Sequence, residues 1–199
     1  MELRVNGNKI DITLENEKTV GEILKAFENE AAKNDATTVS IKLNGNDVSA
    51  DGFETACTEP IKDDTLLELS VVSKADITSS LSESARTFTE LSEKLKDVSV
   101  LLQTSREKEA NEIIKILADE ISSFCHTATL SALFPDVYEK LNVDGTDAGT
   151  FFKDFSPLLS DFEKALEEKD TVTVGDLSEY EISPRLEKLA SSAEAASKA

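Results

Sequence analysis

The sequence predicts an α+β protein in which a small mixed domain precedes an all-α domain that resembles a four-helix bundle. Two observations favour this class. Apolar residues alternate with polar ones around a single helical stretch up to about residue 73, and from residue 77 onward they recur every three or four positions. The change of pattern predicts domains at 1–73 and 77–199, joined by a short linker at about 73–80.

The first domain begins with a predicted β-hairpin over residues 2–15. Apolar residues alternate on both sides of an Asn6-Gly7 pair, which tolerates the positive φ of a tight turn. The alternation continues through the second strand and includes Ile12 and Leu14.

One helix and two further strands complete this domain. Thr19 and Glu22 are spaced as a capping box for a helix that ends near Lys33. An Asn44-Gly45 turn closes the third strand, and an irregular segment follows before the last strand. The alternating residues of these strands are Val39, Ile41 and Leu43 in the third and Leu67, Leu69 and Val71 in the last.

This order of elements is that of the β-grasp fold of ubiquitin-like proteins. The segments TVGEIL, IKLNGNDV and IKDDTLLELSVV also resemble the bacterial sulfur-carrier proteins of thiazole and molybdopterin biosynthesis, over about residues 1–73. The resemblance implies a terminal Gly-Gly whose carboxylate is adenylated and then thiolated. The corresponding segment here reads VVSKADITSS, without glycine, so we expect the fold and not the activity.

The second domain is predicted to contain four amphipathic helices. The first is capped by Asp76 or Thr78, and the pattern resets at Thr104-Ser105 before the second. Pro157 implies a kink in the third helix or a restart capped by Ser156, the fourth is interrupted near Pro184, and the chain end is expected to fray. The apolar stripes include Leu81, Phe88 and Leu95, then Leu117 and Phe124, then Phe151, Phe155 and Phe162, and finally Val174 and Leu186.

The charge and composition exclude several classes of function. A net charge of -19 disfavours binding to nucleic acid or to anionic membrane surfaces, and it favours basic partners or simple solubility. The sequence has no stretch typical of a signal peptide or a membrane span. Cys57 and Cys125 are too few for a disulfide framework, so we expect reduced thiols and a cytoplasmic location.

No motif points to catalysis, and we expect no enzyme activity, no cofactor and no metal site. Cys125 precedes His126, the single histidine, but adjacent helical residues point about 100° apart and cannot form a nucleophile–base pair alone. The acidic loops at 47–52 and 144–147 lack the final glutamate of a calcium-binding loop. Acidic turns explain both loops better.

We therefore expect an intracellular adaptor that binds unidentified protein partners, with its oligomeric state left open. An alternative is a chaperone-like or secretion-associated protein whose bundle holds an apolar helix of a client, and a derivative of a sulfur carrier is a third. The phenylalanines between Phe151 and Phe162 are either core or an exposed groove. The candidate partner-binding residues are Arg4, Lys42 and Glu68 on the sheet and Tyr138, Phe151 and Tyr180 on the bundle.

Overall fold

The computed structural model describes residues 1–14, 16–104 and 106–199. Glu15, at the end of the predicted hairpin, and Ser105, where the helical pattern was expected to reset, lie outside the described residues. In the described chain a five-stranded sheet with two α-helices is followed by a helical region, which confirms the α+β class. The chain forms two compact units, Met1–Asp76 and Ile77–Ala199.

The N-terminal unit is built on a mixed five-stranded sheet. Its strands follow the order β2-β1-β5-β3-β4, in which β1 and β5 are parallel and the other neighbours are antiparallel. The elements are β1 (Glu2–Val5), β2 (Asn8–Ile10), α1 (Val20–Ala31), β3 (Ala36–Leu43), β4 (Asn46–Asp47), α2 (Phe53–Thr58) and β5 (Leu66–Ser73).

Helix α1 packs its apolar stripe on one face of this sheet. The Thr19 side chain accepts a hydrogen bond from the backbone N–H of Glu22, and the Glu22 carboxylate accepts one from the backbone N–H of Thr19. The predicted capping box is therefore confirmed. The buried residues of this core include Val20, Ile23 and Leu24 of α1 and Leu3, Leu43, Leu67 and Leu69 of the strands.

Two asparagines connect the turns to the central strand β5. Asn6 and Asn44 each begin an Asn-Gly turn, with φ of 49° and 50°, which confirms both predicted turns. The Asn6 side chain accepts from the Val71 N–H at 2.8 Å and donates to the Val71 carbonyl at 3.0 Å. Asn44 donates its backbone N–H to the Leu66 carbonyl at 2.8 Å, and its Oδ1 accepts from the Leu66 N–H at 2.9 Å.

The first hairpin is shorter than its alternating pattern predicted. Strand β2 ends at Ile10, so the prediction of a strand through Ile12 and Leu14 is wrong. The register explains the early end, because Ile10 pairs with Leu3 and β1 begins only one residue earlier, at Glu2. The alternating apolar residues therefore continue beyond the last positions at which β1 can pair with β2.

A bulge and a short helix also depart from the predicted pattern. The register of β3 against β5 shifts between Thr38 and Ser40, and Val39 is 42% exposed as a result of this break in alternation. The segment predicted to be irregular contains α2, which packs closely on α1. A Cβ added to Gly21 of α1 would lie 2.9 Å from the Cβ of Cys57.

The strand β5 leads directly into helix α3 (Lys74–Leu95), so the predicted linker at 73–80 is wrong. Ser73 rather than Asp76 or Thr78 caps this helix. The Ser73 Oγ accepts from the backbone N–H of Asp76 at 3.1 Å, and the Asp76 carboxylate accepts from the Ser73 N–H at 2.9 Å and from its hydroxyl at 2.6 Å. These bonds hold the pKa of Asp76 below its usual value.

The C-terminal unit is helical apart from one small hairpin. Its longest helices are α3, α5, α7 and α9, and a π-helical segment at Leu177–Ile182 separates α8 from α9. The elements after α3 are α4 (Val98–Gln103), α5 (Glu107–Ser131), α6 (Pro135–Tyr138), β6 (Asn142–Val143), β7 (Thr146–Asp147), α7 (Ala148–Glu167), α8 (Thr171–Asp176) and α9 (Ser183–Ala196).

The structure tests three predictions for this unit, of which the restart of the third helix and the frayed chain end are wrong. Helix α7 is continuous through Pro157 and is capped by Asp147, so it does not restart at Ser156. The predicted interruption near Pro184 is confirmed, since the π-helical segment ends at Ile182 and Pro184 lies in the first turn of α9. The chain end is helical and packed, since Ala196 is fully buried.

The aromatic residues of this unit pack on one another. The Phe124 ring lies edge-on to Phe88 at a centroid distance of 5.3 Å and is 5.9 Å from Phe152. Phe155 is fully buried and lies 5.6 Å from the half-buried Phe151. The predicted Phe-rich helix thus supplies core residues, with Phe151 and Phe152 at the edge of the cluster.

Candidate functional site

The three sheet residues predicted to bind partners lie in one row across the sheet. Arg4 pairs with Glu68 in the parallel register of β1 and β5, and Glu68 pairs with Lys42 in the antiparallel register of β5 and β3. Lys9 and Asp47 extend the row to the two edge strands. Residues directly opposite one another share a face of a sheet, so this charged row lies on the face opposite the buried Leu3 and Leu67.

The charges of this row are paired with one another. Arg4 Nε lies 2.7 Å from Glu2 Oε1, and Lys42 Nζ lies 3.3 Å from Asp47 Oδ1. Lys9 Nζ is 3.5 Å from the other oxygen of Glu2. The hydrogen bond from Arg4 is the main reason that the pKa of Glu2 lies below its usual value. The row is therefore a compensated polar surface rather than a patch of one charge.

The three predicted residues of the helical unit lie in different environments. Tyr138 ends the short helix α6 and is exposed. Tyr180 lies in the π-helical segment with 65% of its surface exposed, and a hydrogen bond with Glu179 raises the pKa of its phenol. Phe151 belongs to the packed aromatic cluster.

One groove in the N-terminal unit is lined mainly by apolar side chains. Its volume is about 480 Å³, and it lies between the β2 edge of the sheet and helix α1. The side chains of Ile10, Ile12 and Leu14 border it and are 41%, 37% and 41% exposed. Three further apolar residues that line the groove are Leu3, Ile23 and Phe27.

The alternation in the sequence predicts one apolar hairpin face that includes Ile10, Ile12 and Leu14, and the structure leaves these side chains accessible beside the groove. The signal that could have identified the groove was the length of the alternation. The apolar pattern runs to Leu14, whereas the described strand ends at Ile10 and has a single neighbouring strand, β1. Three neighbouring branched aliphatic side chains therefore stay accessible to solvent, and such a cluster is unusual on the surface of a monomeric protein.

The two residues considered for catalysis, Cys125 and His126, do not line the groove. Cys125 is partly buried on α5, and burial raises the pKa of its thiol, so the reactive thiolate is disfavoured. The adjacent His126 is exposed. Within the three described ranges, no cluster of three or more His, Cys, Asp or Glu side chains could hold a metal ion. Likewise, none of the described helices is long and apolar enough to cross a bilayer.

The fold and groove define an α+β protein with a small sheet domain and a larger helical domain. The chain belongs to the family described as a domain of unknown function, DUF8042, whose model matches residues 79–192. A second model, described as the TP0873 N-terminal domain, matches residues 1–73.

One relative spans nearly the whole molecule. It is a protein of Treponema pallidum (strain Nichols) described as an uncharacterized protein, and it is 29% identical over 184 residues, which are 92% of each chain. The similarity therefore extends across both units. No solved structure matches this chain.

Proposed function

We propose that this chain is a non-enzymatic, intracellular protein-interaction protein in which a β-grasp domain is followed by a four-helix-bundle-like domain. The strand order β2-β1-β5-β3-β4, with parallel β1 and β5 at its centre and α1 on one face, supports the β-grasp assignment. The four long helices α3, α5, α7 and α9 support the bundle-like assignment. A cytoplasmic location remains part of this proposal.

The apolar groove beside β2 is the observation on which the proposal depends. Branched aliphatic side chains that stay more than a third exposed cost free energy in water, and a bound apolar partner would remove that cost. The groove borders an edge strand, whose outer backbone groups are open to another chain. We therefore propose that its occupant is an extended polypeptide segment with apolar side chains.

The other predicted surfaces receive less support. Arg4, Lys42 and Glu68 are engaged with neighbouring charges, and a partner would have to replace those ion pairs. Tyr138 and Tyr180 are exposed, and we retain them as a candidate second surface for an adaptor.

The two other functional hypotheses are also less well supported. The phenylalanines that a client helix would need are packed on one another, which favours partner binding at the sheet domain over a chaperone role. Sulfur-carrier chemistry needs a free terminal glycine, whereas Ser73 at the end of β5 caps a helix.

The test is a quantitative pull-down with the full-length protein and two variants. Ile12→Lys places a charge in the groove. Val39→Lys places the same charge at a similarly exposed aliphatic residue of the same unit that does not line this groove. We expect a captured protein to be lost with Ile12→Lys and kept with Val39→Lys, and its binding to be reproduced with purified components. Equal capture by both variants would contradict the proposal.

A further inference from the structure

The groove is bordered by a strand that has one free side. Strand β2 pairs with β1 through Val5 and Asn8, Arg4 and Lys9, and Leu3 and Ile10. In a two-residue hairpin the pair that flanks the turn exchanges hydrogen bonds, and such pairs alternate along an antiparallel ladder. The Asn8 and Ile10 backbones therefore face β1, and the backbone N–H and C=O of Lys9 point away from the sheet.

The residues around Ile10 are arranged as a self-complementary strand. Ile10 lies on the groove face and Lys9 on the opposite face, and Asp11, the first residue after the described end of β2, would share the face of Lys9 if the strand were extended by one residue. If a second strand of the same sequence ran antiparallel with its two-fold axis at Ile10, each Lys9 would lie opposite an Asp11. Opposite charges in directly opposed positions stabilise an antiparallel pair, and like charges destabilise it.

The backbone of β2 has the same symmetry. The outward-facing N–H of Lys9 can donate to the carbonyl of the partner's Asp11, and the outward-facing carbonyl of Lys9 can accept from the same residue's N–H. Ile10 then meets the partner's Ile10 in a pair without hydrogen bonds, where side chains approach most closely. This pairing would extend β2 past Ile10, where the strand ends in the described chain.

We propose that the occupant of the groove edge is a second copy of this chain, with β2 paired antiparallel to β2 and the two sheets joined into one. The inference rests on the proposed function, because it names the polypeptide that binds beside the groove.

Two features of the chain bear on this pairing. A lysine on an edge strand often prevents such association, but Lys9 lies on the outer face with its ammonium 3.5 Å from Glu2. The repulsion between two acidic chains is screened beyond about 8 Å at physiological ionic strength.

The test is a charge swap measured by sedimentation velocity on the full-length protein. We expect the wild type to form a concentration-dependent dimer. In a dimer of Lys9→Asp, aspartate lies opposite aspartate at both places where residue 9 meets residue 11, and in a dimer of Asp11→Lys, lysine lies opposite lysine. Each single variant should therefore dimerise about tenfold more weakly. An equimolar mixture of the two variants restores both opposite-charge pairs and should form a heterodimer. Circular dichroism checks that each variant is folded.

The outcomes separate this inference from the function on which it rests. A wild type that stays monomeric at all concentrations, or a dimer that both charge variants leave intact, would overturn the pairing. If the wild type is monomeric while Ile12→Lys still abolishes capture of another protein, the second copy is excluded and the interaction function stands. If the wild type is monomeric and capture does not depend on Ile12, both proposals are wrong.

Discussion

Both units of this protein contain apolar residues at regular spacing, but the structure buries those of the helical unit and leaves some of those of the sheet unit exposed. In the helical unit, helix-spaced phenylalanines such as Phe124 and Phe155 are fully buried in a shared aromatic cluster. In the sheet unit, the strand-spaced Ile12 and Leu14 remain more than a third exposed. A helix satisfies its own backbone and needs only one packing surface, whereas a strand also needs a neighbouring strand. An apolar pattern that continues beyond the end of the neighbouring strand therefore leaves side chains accessible to solvent.

The largest expected effect is a loss of stability when the buried aromatic cluster of the helical unit is changed. Phe124→Ala should lower the free energy of unfolding by about 3–5 kcal/mol, because it removes a fully buried ring that contacts Phe88 and Phe152. Urea unfolding followed by circular dichroism measures the change. The exposed Phe53→Ala is the control, and it should cost less than about 1 kcal/mol. Similar losses for both variants would show that the cluster is not a packed core.

A second pair of variants compares two residues that line the same groove. Ile23 is 5% exposed and Ile12 is 37% exposed. We expect Ile23→Ala to lower the free energy of unfolding by about 2–5 kcal/mol and Ile12→Ala by about 1 kcal/mol or less. The same urea experiment, at a protein concentration low enough for the chain to be monomeric, tests this difference. Equal losses would mean that Ile12 belongs to the core, and the groove would then lose its exposed wall.

A third variant tests the connection between the first turn and strand β5. Asn6→Gly keeps the positive φ of the turn but removes both side-chain hydrogen bonds to Val71, so it should cost about 1–2 kcal/mol. The control is Asp35→Gly, which relieves a φ of 47° and retains the backbone bonds of Asp35. Thermal unfolding should show a lower Tm for Asn6→Gly and an unchanged or slightly higher one for Asp35→Gly.

The smallest expected effect concerns acid stability of the helical unit. Asp147 and Asp170 cap α7 and α8 and accept hydrogen bonds from Thr150 and Thr173, which lower the pKa of both carboxyls. A lowered folded pKa stabilises the protein above the unfolded pKa, and this contribution is lost as the pH falls through the folded pKa. Tm should therefore fall as the pH is lowered below about 4.

Asparagine still accepts the capping bond from the backbone N–H of Thr150 or Thr173 through its one carbonyl oxygen, and it does not titrate. The double variant with Asp147→Asn and Asp170→Asn should accordingly show a smaller fall in Tm between neutral pH and about pH 3. Asp161→Asn, an exposed residue of α7, is the control. An acid-induced fall as large as that of the wild type would contradict the capping role.

Local signals in the sequence predicted much of the fold. The Thr19–Glu22 capping box and the Asn-Gly turns at Asn6 and Asn44 act over a few residues, and each was predicted from its own segment. The hydrogen bonds that these turns make to distant parts of the sequence could not be predicted in this way. The two hydrogen bonds between the Asn6 side chain and the Val71 backbone span 65 positions and depend on the register of β1 with β5.

The groove was not predicted for the same reason. Alternation at Ile12 and Leu14 indicates which side chains share a face, but it does not indicate whether another strand or helix covers that face. Similarly, Asp76 was recognised as a helix-start residue, while its role as the partner of Ser73 depends on where β5 ends.

The reciprocal bonds between Ser73 and Asp76 have a practical consequence for dissecting the molecule. The match to the N-terminal family model stops at residue 73, so a fragment cut at that boundary would keep the serine and lose the aspartate. The last backbone N–H of β5 would then lack its carboxylate acceptor. A fragment that extends through the first turns of α3 retains both groups. A protease that cuts between the two residues would therefore loosen a strand that lies at the centre of the sheet.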